Sequence, residues 1–320
     1  MYLRLRRRRF GQLVIASAAT TALANFGGKT VAQNFNYPLG IRTASNKNGQ
    51  NIDLENTTPP VTLLSLDLTT GIETLDTEIS STAVDNKNEI IQIANKAVFT
   101  QSTQRITGLS ALSDGTIIAC TVGTDKKGNY NQILFINRKS KLGQTKKLSG
   151  FKKTNTTIEG LLATKDDQII AIASLNEGSP PFHFLIIDPK NGKVSPADQL
   201  ALPELPKDLR LGNLALNSDG KFYATTLGRE GSTTLVQLDP QKKSVMTGRI
   251  LITKLAELSY NKKPLVNDLL GLSVSPSGQL IALAKLDKNN KNSLLAVDPK
   301  TGQLTLLSKV MVDKIVFPRQ

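Results

Sequence analysis

The stretch LLAVDPKTGQLTLL, Leu294 to Leu307, has a near twin more than two hundred residues earlier, LLSLDLTTGIETL, Leu63 to Leu75. In both, an apolar run enters a turn and an alternating strand leaves it. Asp can bond the turn backbone, Pro presets φ, and Gly accepts the positive φ that closes a hairpin. Beyond Gly302, Leu304 and Leu306 alternate with Gln303 and Thr305, the period of a strand with one wet face. The phrase recurs as FLIIDPKNG ending at Gly192, LVQLDPQKK ending at Lys243 and ILFINRKSK ending at Lys141. Its marker residues are Asp67, Asn137, Asp188, Asp239 and Asp298, with steps of 70, 51, 51 and 59 residues.

A second kind of hairpin alternates with the first. It reads GLSALSDGTIIACTV from Gly108, GLLATKDDQIIAIAS from Gly160, NLALNSDGKFYATTL from Asn213 and GLSVSPSGQLIALAK from Gly271. Its turns, at Gly115, Asp167, Gly220 and Gly278, are 52, 53 and 58 residues apart, the scale of one unit in a repeat array. Two hairpins make four strands, and a small sheet apolar on both faces must stack on its neighbours. The chain therefore resembles a β-propeller over about residues 60–318. The resemblance implies an all-β fold of five four-stranded blades, or six if residues 80–105 hide another sheet. The C-terminal MVDKIVFPRQ (Met311 to Gln320) echoes the approach to Gly271, so it is expected to give the inner strand of the blade whose outer strands are residues 63–79. Strands from both termini would then close the ring. DPKTG is also similar to the docking motif of quinoprotein propellers, but that motif ends in Trp and this chain has none, which disfavours a quinone-dependent dehydrogenase.

The N-terminus sets an expected destination. MYLRLRRRRFGQLVIASAATTALANF has a basic start, a short apolar run from Leu13 to Leu23 and small residues at Ala22-Leu23-Ala24, the pattern of an export signal over residues 1–24. Arg7-Arg8-Arg9-Phe10 resembles a twin-arginine signal, which implies export of a folded protein to the periplasm or an equivalent compartment. Residues 25–62 are expected to form a polar linker with one strand at Leu39 to Ala44, and residues 63–320 the propeller. No other segment approaches membrane-spanning length.

The net charge of +14 includes five arginines of the leader, so residues 25–320 carry +9, mostly as dispersed lysines, which argues against a nucleic-acid partner. One run is different. From Asp125 to Lys153 nine basic residues face a single acid. Lys126, Lys127, Lys139, Lys146 and Lys147 are expected to make a basic blade edge, suited to an anionic polysaccharide, lipid headgroups or an acidic partner. Cys120, the sole cysteine, lies in an apolar run and is expected to be a buried structural thiol. The sole histidine, His183, is expected to be a strand residue. One His and one Cys cannot assemble a zinc site or a histidine-based triad.

Chemistry in a propeller belongs where the inner strands begin. Three residues before the Gly or Asn of each inner strand stand Arg105, Thr157, Arg210 and Asp268, and one residue before it stands Glu159. Arg105, Glu159, Arg210 and Asp268 are the candidate ligand-binding residues at the channel mouth, with ion pairing among themselves as the structural alternative. The turn aspartates, including Asp114 and Asp219, are read as structural. The expected function is an exported, non-catalytic, monomeric binding or scaffold protein for a protein or an anionic carbohydrate. The alternative is a propeller hydrolase of lactonase, esterase or glycosidase type, with Glu159 and Asp268 as the carboxylate pair. No cofactor is evident, and calcium gathered from separate blades is left open.

Overall fold

Each expected turn of the second kind closes in the same way in the computed structural model. Leu112 N donates to Thr116 O and Gly115 N to Leu112 O; the same pair of bonds recurs at Thr164–Gln168, Asn217–Lys221 and Ser275–Gln279. The DPKTG turns form a larger loop, in which Gly302 N donates to Asp298 O and Asp298 N to Gln303 O, repeated at Asp67–Ile72 and Asp188–Lys193. The Asp side chains bond the turn as their chemistry requires: Asp298 Oδ1 accepts from Lys300 N, Asp188 Oδ1 from Lys190 N, and Asp67 Oδ1 from Thr69 N and Thr70 N. The structure describes residues 37–43, 61–78, 80–84, 90–92, 105–125, 128–176, 178–228, 231–287 and 290–319. The expected export signal, Lys126 and Lys127 lie outside them.

These hairpins build a five-bladed β-propeller with no α-helix among the described residues. Blade 1 runs outward through Arg105–Ala111, Ile117–Asp125, Gly128–Asn137 and Leu142–Lys147, and blade 2 through Thr157–Ala163, Ile169–Asn176, Ser179–Ile187 and Val194–Pro196. Blade 3 comprises Arg210–Leu216, Phe222–Leu227, Thr233–Lys243 and Ile250–Glu257; blade 4 comprises Gly271–Val274, Leu280–Ala284, Asn292–Val297 and Gln303–Val310. Blade 5 closes the ring. Its inner strand is the C-terminal Lys314–Val316, paired antiparallel with Leu39–Thr43, which is followed outward by Val61–Leu66 and Glu73–Glu78. The strand expected in the polar stretch at Leu39 to Ala44 is thus part of the propeller. The five inner strands contact one another in ring order.

Apolar side chains fill the interfaces between blades. Ile118, Ile133, Ile158, Leu161, Ile169 and Val194 join blades 1 and 2, while Leu162, Ile170, Ile172, Leu211, Phe222 and Val236 join blades 2 and 3. Phe184 meets Phe222 edge to face, with ring centroids 6.0 Å apart. Among the described residues the interfaces are mostly aliphatic, as a chain with few aromatics requires. Cys120 is fully buried in blade 1, and burial pushes its thiol up to about 12, so it is structural.

Two expectations need correction. Residues 80–105 hold no sixth blade among the described residues: Ser80–Val84 lies parallel to Leu142–Gln144 and, with Ile90–Gln92, extends the outer edge of blade 1. Ser259–Tyr260 and Lys263–Pro264 extend blade 4 in the same way, with Ser259 and Tyr260 parallel to Gln303 and Leu304. In blade 3 the Asp239 phrase does not turn at Lys243. The strand continues through Lys243 with a bulge, and the turn forms at Ser244–Arg249, where Gly248 N donates to Ser244 O. Here the glycine stands five residues beyond Lys243, and the turn follows the glycine.

Candidate functional site: a polar cup at the channel mouth

At the waist of the channel the inner strands approach so closely that only about 10 Å³ remains, lined by Leu109, Leu161, Leu214, Leu272 and Ile315 among others. Gly108 permits this approach: a Cβ there would overlap the Leu161 side chain and stand 2.8 Å from its backbone nitrogen. The waist separates two unlike mouths. At the ends of the inner strands, a cavity of about 440 Å³ is lined by leucines, serines and the C-terminal Phe317, Pro318 and Arg319. The Arg319 guanidinium donates to the Ala163 and Thr164 carbonyl oxygens, locking the tail onto blade 2.

The mouth where the inner strands begin is polar. It forms a cup of about 640 Å³ that gathers Arg105, Glu159, Arg210 and Asp268, the four residues nominated from sequence, together with Asp313 and Lys314. β-Bulges aim side chains into it. The pairing register shifts between Ile106 and Gly108, between Ile158 and Gly160, and between Gly212 and Ala215. The extra residues include Thr107, Glu159 and Asn213, and all three line the cup. Asn213 takes the left-handed backbone at φ 55°.

Glu159 is held from both sides. Arg105 Nη2 donates to its Oε1 and Oε2 at 3.1 and 2.9 Å, and Thr157 Oγ1 donates to Oε1 at 2.5 Å. The pair joins blades 1 and 2, with the Arg105 side chain 55% exposed and that of Glu159 11%. Asp268 is exposed as a residue, but its carboxyl group is hemmed in. Its Oδ1 accepts from Asn213 Nδ2 at 3.1 Å, Thr225 Oγ1 at 3.3 Å and Leu269 N at 2.8 Å. Desolvation raises its pKa, opposed by the Lys314 charge and by these hydrogen bonds.

Lys314 was not nominated from sequence. It stands on the inner strand of blade 5, opposite Ile41, and its ammonium is desolvated in the cup, which brings its pKa down to about 8 against the opposing pull of Asp268. Neither the Lys314 nor the Arg210 side chain makes a hydrogen bond or ion pair with a described residue, whereas that of Arg105 is committed to Glu159. The cup thus offers two unpaired cations beside carboxylates that already accept donors.

The nominated basic edge is less open than its sequence implies. Its strand Leu142–Lys147 is covered along Leu142–Gln144 by Ser80–Thr82. Lys146 Nζ donates to the Pro189 and Lys190 carbonyl oxygens and sits over the Phe135 ring, while Lys147 Nζ stands over Tyr130. Lys139 is exposed. His183 is an exposed strand residue paired with Ala173. No three His, Cys, Asp or Glu side chains among the described residues are grouped so as to hold a metal ion. No helix among the described residues is long and apolar enough to cross a membrane.

No protein-family model matches the chain, and no curated protein matches it. Solved structures do. A protein of unknown function from Dyadobacter fermentans is 12% identical, with a TM-score of 0.45 over 83% of this chain and 80% of that one. A second protein of unknown function, from Bacteroides caccae, is 13% identical, with a TM-score of 0.42 over 87% and 98% of the two chains. A gluconolactonase from Xanthomonas campestris is 12% identical, with a TM-score of 0.36 over 64% and 75%. The chain spans only 39% and 33% of two longer structures that it matches. At such identities the likeness is one of fold.

Proposed function

We propose that the polar cup recognises an anionic carbohydrate and that the protein works as an exported, non-catalytic binding protein. The observation that supports this reading is the pair of unpaired cations, Arg210 and Lys314, lining a blind cavity of about 640 Å³. A guanidinium grips a carboxylate through two parallel hydrogen bonds, and Arg210 has that fork free at the rim. Sugar hydroxyls, which both donate and accept, suit the remaining carboxylates and the Asn213 and Thr107 side chains. The apolar waist makes the cup a dead end, so a ligand enters and leaves by one mouth. A ligand that binds only the folded state raises the melting temperature. A panel of galacturonate, glucuronate and their short oligomers should therefore stabilise the chain, and glucose should not. If no sugar acid shifts the transition, a protein partner presenting a carboxylate becomes the occupant to test.

A carboxylate hydrolase is the second reading, and one observation favours it: Glu159 and Asp268 line the same cavity in unlike environments, one beside a guanidinium and the other desolvated. Against it, both carboxylates already accept hydrogen bonds that tie neighbouring blades together. Turnover of 4-nitrophenyl glycosides or esters that disappears in Glu159→Gln or Asp268→Asn would select the hydrolase.

A further inference from the structure

Away from the channel lies a cleft of about 380 Å³, within the range of ~300–1,000 Å³ usual for small-molecule sites. It sits between the loop Gly150–Thr156, which leaves blade 1, and the surface of blade 2 that faces blade 1. The segment Val194–Leu202, which leads out of blade 2, forms its other wall. Phe151, Leu175, Leu185 and Val194 make the lining largely apolar, while Lys152 and Lys153 stand at its exposed rim.

The two lysines are the uncommitted end of the basic run that begins after Asp125. Arg138 is engaged with Asp76, Lys146 with two carbonyl oxygens and Lys147 with Tyr130. Neither the Lys152 nor the Lys153 side chain forms a hydrogen bond or ion pair with a described residue. Their charge is felt in the cleft: the His183 imidazole, which also lines it, has its pKa lowered by desolvation and then by Lys152, Arg249 and Lys153. Asp198 supplies the single carboxylate of the lining, so cations outnumber anions at the rim. An apolar floor with an unpaired pair of cations at its edge is complementary to a molecule with the opposite arrangement.

We propose that this cleft is a second ligand site, which takes a monoanionic amphiphile: an alkyl or aryl carboxylate whose apolar body lies against Phe151, Leu175 and Leu185 while its carboxylate meets Lys152 and Lys153. The site shares no residue with the channel cup, so it stands or falls independently of the carbohydrate reading.

Calorimetry of the full chain with dodecanoate, kept below its micelle concentration, and with 2-naphthoate tests the proposal. Saturable 1:1 binding of at least one probe is expected. Its Kd should weaken tenfold or more in the double variant Lys152→Gln/Lys153→Gln and remain unchanged in Lys242→Gln, an exposed lysine of blade 3 outside the cleft. Dodecanol, which has the same chain length but no charge, should bind at least tenfold more weakly than dodecanoate. Pro196→Phe, paired with Leu185 on the cleft face of its strand, fills the cleft from an exposed position and should abolish binding in a chain whose melting temperature is retained. No saturable binding of either probe would overturn the proposal. So would a Kd that neither the double lysine variant nor Pro196→Phe changes.

Discussion

Gly302 shows how much of this fold rests on single backbone positions. It holds φ at +73° in the turn of the opening phrase, and a Cβ added there would overlap the Glu257 carbonyl oxygen of blade 3's outer strand. Gly115 also holds a positive φ, +85°, but a Cβ there would meet nothing within 4 Å. Gly115→Ala should therefore cost only the left-handed backbone penalty, about 1–2 kcal/mol. Gly302→Ala must also displace a neighbouring blade and should cost roughly 3 kcal/mol or more. Urea denaturation of both variants checks the difference; equal losses would show that the blade contact at Gly302 is slack. The same contrast explains what was legible at this scale. Turn chemistry is local, so the Asp and Gly of DPKTG announced their hairpin without any knowledge of neighbours. In blade 3 the glycine had moved to Gly248, and the apolar-to-Asp phrase ending at Lys243 was misleading. The channel residues Arg105, Glu159, Arg210 and Asp268 were legible because position relative to an inner strand fixes where a side chain points.

Among the elements, the closing blade bears the greatest consequence. Lys314–Val316 is only three residues long, yet it pairs with Leu39–Ile41 and completes the ring between the first and fourth blades. Ile315 and Phe317 pack into the cluster of Leu64, Ile281, Leu283 and Leu294, and Arg319 reaches the carbonyls of Ala163 and Thr164 beyond the channel. A chain ending at Val310 loses all of this and leaves an open sheet face on blade 5. Its melting temperature should fall by more than about 10 °C, the loss of several kcal/mol at the ~2–4 °C per kcal/mol of domains of about 150–250 residues. Arg319→Ala removes only the clasp and should cost about 1–3 kcal/mol. A truncated chain that melts within 2 °C of the full one would mean that the ring does not depend on its terminal strand. The echo between residues 311–320 and the approach to Gly271 made this closure readable. The edge strands at Ser80–Val84 and Ser259–Tyr260 were not readable, because they lie parallel to strands 40 or more residues away and no local turn marks such pairing. Lys314 escaped notice for a related reason: its place in the cup is set by pairing with Ile41, not by its own neighbours.

For the whole molecule, charge in the cup links stability, pH and binding. The Lys314 pKa falls from 10.5 to about 8 on folding, so between those values the unfolded chain binds more protons than the folded one. Stability attributable to this residue must then rise as pH increases from about 8 to 10.5, and the penalty of its buried charge is fully present below that window. The melting temperature of the wild type minus that of Lys314→Met should grow more positive from pH 8 to pH 10; a flat difference would place the ammonium in open water, and a falling one would give it a stabilising anionic partner. Binding of an anion should run the other way, weakening as pH rises through the pKa of the lysine in the cup. The most direct test of the account is calorimetric titration of trigalacturonate into the full chain at pH 7, with Arg210→Gln and Lys314→Met in parallel. One site per chain is expected, with a loss of about tenfold or more for each variant, the worth of one charge-assisted hydrogen bond. Absence of saturable binding, or a Kd that neither variant changes, would contradict it.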